Sequence, residues 1–141
     1  MFVSGIPFLV TLSDSIKYTT AEFIPTRTAG QLANSLMKVV YGYAHGGFVV
    51  NLMLMDQEFE KIKDVLPLVE VNTTAARGHV PKIERHIRTI KERVRATTSR
   101  FLFNPVPRMV MIQTIYTICL WLNAVRSISG KDRGLSPEKL Y

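Results

Sequence analysis

One narrow apolar stripe runs through residues 81–95, and it restricts the architecture more than any other feature of the chain. Ile83, Ile87, Ile90 and Val94 recur at i, i+4, i+7 and i+11, the spacing that stacks side chains on one face of an α-helix. Pro81 stands where a first helical turn tolerates proline. A helix that is apolar on one side only must lie on a core, so the rest of the chain has to supply one. A turn of about 100° per residue gathers Glu84, Arg88, Lys91 and Arg95 on a neighbouring flank. A carboxylate thus heads a column of three cations, and Arg85 adds a fourth basic side chain beside it.

The core is announced further upstream. Residues 48–55, Phe-Val-Val-Asn-Leu-Met-Leu-Met, form a short apolar run behind Gly46-Gly47, as expected of a strand buried on both faces, and the run stops at Asp56. An acid there sits at a strand's carboxyl end, where open α/β sheets bind ligands. Asp56 and Glu84, one ending a core strand and one opening a basic helix, suit a divalent metal held against phosphate. Mg²⁺ takes one or two protein carboxylates and fills its other positions with water and phosphate oxygens. The same residues admit a plainer reading, in which Glu84 and Arg88 form an exposed ion pair and Asp56 caps a helix beginning at Gln57.

Charge placement separates function classes better than total charge does. Of the formal +7 on 141 residues, the segment 77–100 carries +6, with eight basic side chains against Glu84 and Glu92. Such concentration is the footprint of a polyanion site, with the cations of the basic helix 82–100 placed to hold nucleic acid. A hydrophobic content of 47% with 21% charged residues fits one globular domain over residues 1–141. Cys119 stands alone in an apolar run and His45, His79 and His86 lack zinc-ligand spacing, which excludes an intrachain disulfide and a structural zinc module. Met1 is followed by no basic n-region, so no signal peptide is expected.

The remaining segments complete an α/β pattern. Residues 7–13 and 16–24 read as a hairpin turning at Asp14-Ser15. Leu32, Leu36, Val39 and Tyr43 mark a helix from about Thr28 to Gly46, residues 57–66 a short helix, and 68–73 a brief strand. Residues 109–125, 17 in number, read as a buried core helix, the alternative being a membrane anchor that would make this a small membrane-associated protein. Gly130 and Gly134 bracket a turn, and Ser136-Pro137 opens a last short helix.

In this order the residues resemble a known family. Asp56-Gln57-Glu58-Phe59 is similar to the Asp-x-x-x-Glu-Phe element of retroviral and retrotransposon integrases with its middle shortened. The run from Ile83 to Lys91, which includes Glu84, Arg88 and Ile90, resembles their Val-Glu-x-x-Asn-x-x-Leu-Lys helix, with Ile87 where the family has Asn. Trp121-Leu122-Asn123-Ala124 and Ser136-Pro137-Glu138-Lys139-Leu140 look like the landmarks that close the catalytic core. The likeness covers nearly the whole chain and is nearest to integrase segments of copia-type long-terminal-repeat elements.

The resemblance implies an RNase H-like core with a mixed five-stranded sheet, flanking helices, and three acids that bind two Mg²⁺ or Mn²⁺ ions. Asp56 would be the second acid and Glu84 the third, both as catalytic and metal-binding residues. Arg85, Arg88, Lys91 and Arg95 fall on the helix where the family contacts DNA. The first acid is expected a residue or two before Met1, on a first strand expected to be truncated, which leaves two readings: an integrase-type polynucleotidyl transferase short of one acid, or an inactive remnant that binds DNA. A homo-oligomer, and the nucleus or a retroelement particle as location, follow from the same resemblance.

Overall fold

The computed structural model describes residues 1–65, 69–73 and 81–124. The expected loop before Pro81, the turn after Ala124 and the helix opened by Ser136 lie outside them. In chain order the elements are β1 (Phe2–Val3), β2 (Ile6–Leu12), β3 (Thr19–Phe23), α1 (Ala29–His45), β4 (Leu52–Met55), a 3₁₀ helix (Gln57–Val65), β5 (Glu70–Thr73), α2 (Pro81–Thr98) and α3 (Arg108–Ala124). The contacts divide the chain into two units, one made of Met1–Phe23 with the chain from Arg85 onward, the other of Ile24–Glu84.

The first unit is built on an antiparallel sheet in the order β1-β2-β3. Ser4 and Gly5 join β1 to β2 with φ of 48° and 78°, the positive pair that a two-residue type I′ hairpin requires and that glycine adopts without strain. Beyond β1 the ladder is continued by Met1, whose carbonyl accepts from the Phe8 N–H and whose ammonium donates to the Phe8 carbonyl, both at 2.8 Å. Phe8 pairs with Phe23 and Leu12 with Thr19. Between these the Thr11 and Thr20 hydroxyls hydrogen-bond at 2.6 Å.

The hairpin turn is longer than the sequence suggests. The second strand starts at Thr19 and not at Ile16, because Ser13–Tyr18 close the turn through a Ser13 N–H to Tyr18 carbonyl bond of 2.9 Å. Lys17 takes a positive φ of 60°, its ammonium bonds the Asp14 carboxylate, and Ile16 is buried within the turn.

Two helices cover one face of this sheet. Ile90 and Val94 of α2 are fully buried and Ile83 and Ile87 half-buried, so the apolar stripe meets the core through its carboxyl-terminal half. The core joins them to Val3, Ile6 and Phe8 from the sheet and to Met111, Ile112 and Ile115 from α3, among others. Phe8 meets Phe23 and Tyr116 edge-on at 6.0 and 6.3 Å, and the Tyr116 hydroxyl accepts from the Phe23 N–H. Cys119 is buried here as expected, and burial pushes its thiol up to about 11.

Helix α3 is a surface-lying helix, with one face buried and Met109, Leu120 and Trp121 exposed on the other. Among the described residues no helix is long and apolar enough to cross a membrane. The polar residues that interrupt α3 have structural partners: the Thr114 hydroxyl donates to the Val110 carbonyl, and Asn123 is tied to β3.

The second unit opens with α1. Thr28 caps it, its hydroxyl accepting from the Gln31 N–H, and Gly46-Gly47 end it, with Gly47 at φ 80°. Its Leu32, Leu36 and Val39 are buried, as are Ile62 of the 3₁₀ helix and Val71 of β5. Strands β4 and β5 pair in parallel, from Leu52 with Glu70 to Met55 with Thr73. The expectation that residues 48–55 form a strand buried on both faces is overturned. Only the last four pair, and Leu52 and Leu54 are 50% and 53% exposed because they share the face of β4 opposite Met53 and Met55. The expected α/β class with a mixed set of strands is present, but the described residues give sheets of three and two strands in place of a single five-stranded one.

Candidate nucleic-acid interface

Asp56 follows β4 directly and is exposed, at the strand's carboxyl end as read from the sequence. The bond that starts the 3₁₀ helix runs from the Phe59 N–H to the Asp56 main-chain carbonyl at 3.0 Å, which puts Asp56 at the N-terminal boundary of that helix. Glu84 stands exposed in the first turn of α2. Another carboxylate, Glu60, is engaged locally: the Thr73 hydroxyl and then Lys63 hold it below its ordinary range.

The regular helix over Pro81–Thr98 fixes the flank proposed from spacing. Glu84, Arg88, Lys91 and Arg95 rise along one side of it, with Arg88 and Arg95 exposed and Lys91 half-buried. Arg85 is exposed too but lies about 100° around the helix from Glu84, off the column. Among the described residues the ion pairs Lys17–Asp14 and Lys63–Glu60 do not involve Arg88, Lys91 or Arg95. Arg88 and Arg95 face solvent as phosphate-binding groups require, and Lys91 lies half-buried between them.

Two features of this helix escaped the sequence reading. The first is a polar clamp. The Asn123 side chain at the end of α3 accepts from the Thr19 N–H and donates to the Thr19 carbonyl, both at 2.8 Å, which makes it a substitute strand partner for the start of β3. The Thr19 hydroxyl in turn bonds His86 Nε2 of α2 at 2.7 Å. Burial, and secondly the Arg93 charge, hold His86 below its ordinary pKa, which favours the neutral ring. No local pattern marks contacts across 104 and 67 residues.

The second is an open groove of about 340 Å³ where α2 meets α3, lined by Arg93, Ala96, Thr97, Arg100, Ile118 and Trp121. Arg93 and Arg95 flank the buried Val94 about 100° to either side. The groove is thus a second basic surface, on the other side of the stripe from the Arg88–Arg95 column. Unequal spacing hid it: Arg100 lies past the helix end and Trp121 comes from another element.

With the geometry in place, comparison with known proteins gives the fold. No protein-family model and no curated protein sequence matches the chain. Among solved structures, the crystal structure of the catalytic core domain of BIV integrase superposes with a TM-score of 0.66 over 98% of this chain and 86% of that one, at 18% identity. The chain therefore has an integrase-core-like α/β fold. At that identity the likeness establishes architecture, and function rests on the residues.

Proposed function

We propose that this chain is a DNA-binding domain of integrase type, a single RNase H-like domain that grips the phosphate backbone along the flank of α2 formed by Arg88, Lys91 and Arg95, with Arg85 at its edge. The observation that carries it is that flank: a column of cations on a regular helix that enter neither ion pair found among the described residues, in a segment holding +6 of the chain's +7. Phosphate contacts of this kind position a duplex without reading its bases, so binding is indifferent to sequence. The integrase-core-like fold supports the integrase-type reading in general, and descent from a long-terminal-repeat element of copia type rests on the order of landmarks in the sequence alone. Action in the nucleus or an element particle, as a homo-oligomer, belongs to the same proposal.

The implied Mg²⁺ or Mn²⁺ ions are weighed by their donors. Asp56 and Glu84 are hard carboxylate ligands of the right chemistry, but among the described residues no three His, Cys, Asp or Glu side chains come together as a metal group. A two-ion centre needs more ligands than these two supply. The described residues thus do not fit such a centre, and we propose DNA binding as the activity, with Asp56 and Glu84 as the positions where metal would have to bind for strand transfer.

Salt titration of duplex binding tests the reading. Three neutralised phosphates give log K a slope near −2.7 against log[salt] (about −0.9 each). Replacing Arg88, Lys91 and Arg95 together by Gln is expected to abolish most of that slope. A wild-type slope near zero overturns the proposal.

A further inference from the structure

The groove between α2 and α3 has the chemistry of a different nucleic-acid contact from the one just described. Its walls carry two guanidiniums, Arg93 and Arg100, and one indole, Trp121, with no carboxylate among the lining residues. Neither arginine takes part in the ion pairs of the described residues. Trp121 is 62% exposed, an unusual state for the only tryptophan of the chain, while Ile118 behind it is buried in the core and fixes the floor. Ala96 and Thr97 are small and keep the wall open.

We infer that this groove binds an unpaired stretch of nucleic acid, with one base stacked on the Trp121 indole and the neighbouring phosphates on Arg93 and Arg100. Three properties select this occupant. The two guanidiniums, with no carboxylate among the groove's lining residues, call for an anion. An exposed aromatic face beside them is the arrangement that single strands use, since every base has a π-face and stacking tolerates any sequence. A volume of about 340 Å³ in a helix–helix groove suits one extruded base and its phosphates, not a duplex whose bases are turned inward. The inference rests on the nucleic-acid reading above but uses the opposite flank of α2, so a chain holding duplex along Arg88–Arg95 could hold an unpaired end in the groove.

The single tryptophan reports on its own site. Titrating the full chain with a short oligo-dT is expected to quench Trp121 emission, with a salt slope near −1.4 for two phosphates (about −0.7 each). A labelled oligo-dT followed by anisotropy is expected to lose roughly tenfold in affinity with Trp121→Leu and to recover with Trp121→Tyr. Arg93→Gln and Arg100→Ala should each shallow the single-strand slope by about 0.7. All four variants are expected to leave duplex binding within about twofold of wild type, whereas the Arg88, Lys91 and Arg95 replacements weaken the duplex more. Unchanged Trp121 emission on saturation with oligo-dT overturns the inference while leaving duplex binding standing. So does an equal loss for duplex and single strand in the Trp121→Leu variant. A Trp121 emission that shifts with protein concentration alone overturns it too, because a second copy then occupies the groove. Loss of the salt-dependent duplex slope, by contrast, removes the reading it rests on.

Discussion

Strands β2 and β4 look alike as sequences and differ as structure. Both are short apolar runs, Ile-Pro-Phe-Leu-Val-Thr-Leu and Leu-Met-Leu-Met. In β2 the adjacent Phe8 and Leu9, which point to opposite faces, are 2% and 6% exposed, and the strand has a partner on each edge. In β4, Leu52 and Leu54 are about half exposed and, among the described residues, the strand pairs with β5 alone. The run expected to be buried on both faces was β4, yet β2 holds that place. Apolar content measures what a strand can bury; whether it does depends on what lies over each face.

That difference predicts unequal sensitivity to mutation. Phe8→Ala removes a fully buried ring that meets two aromatic neighbours, and is expected to cost about 3 to 5 kcal/mol. Leu54→Ala on β4 is expected to cost less than about 1 kcal/mol, because the half-exposed side chain gives up little burial. Denaturant unfolding of the two variants compares them directly, and equal losses would break the distinction.

Next in size is the clamp that holds the strand beside β2. Asn123→Ala strips both the N–H and the carbonyl of Thr19 of their partner in a buried setting. An unsatisfied buried group costs about 1 to 3 kcal/mol, so a loss of about 2 to 3 kcal/mol is expected. Hydrogen exchange should show the Thr19 amide opening first. Asn123→Asp, which can still accept from the N–H but cannot donate to the carbonyl, is expected to fall between wild type and alanine.

A smaller effect concerns how β2 is entered. Gly5→Ala meets no atom within 4 Å, so its cost is the positive φ alone, about 1 kcal/mol in thermal or chemical unfolding.

The smallest effect is the pH response of His86. Its folded pKa lies below the ordinary 6.5, so the unfolded chain binds the proton more readily than the folded one. The stability tied to the neutral ring is complete above about pH 6.5 and falls as the pH drops through that value toward the lower folded pKa. Melting temperatures taken between about pH 7.5 and 5.5 should decline less in His86→Gln than in wild type. An identical decline would mean that the ring is not held neutral.

Local physics carried much of the fold into the sequence. The stripe of Ile83, Ile87, Ile90 and Val94 with Pro81 gave α2 its start and its buried side, and Thr28 with Gly46-Gly47 gave α1 both ends. The cationic column was legible for the same reason, since Glu84, Arg88, Lys91 and Arg95 are related by helical period alone. The strand ending at Asp56 was legible as a strand. Its pairing in a separate two-stranded sheet and its open face were not, because both depend on distant surfaces.

The sequence by itself thus determined which segments coil or extend, where the positive charge concentrates, and an order of landmarks that resembles an integrase-type core. Tertiary structure alone decided that Thr19, His86 and Asn123 meet, that β2 and not β4 is covered on both faces, and that Arg93, Arg100 and Trp121 line one groove. The physical reason is range. Helical period, capping and turn conformation act over a few residues and leave a local pattern, whereas packing joins residues tens to a hundred positions apart and leaves none.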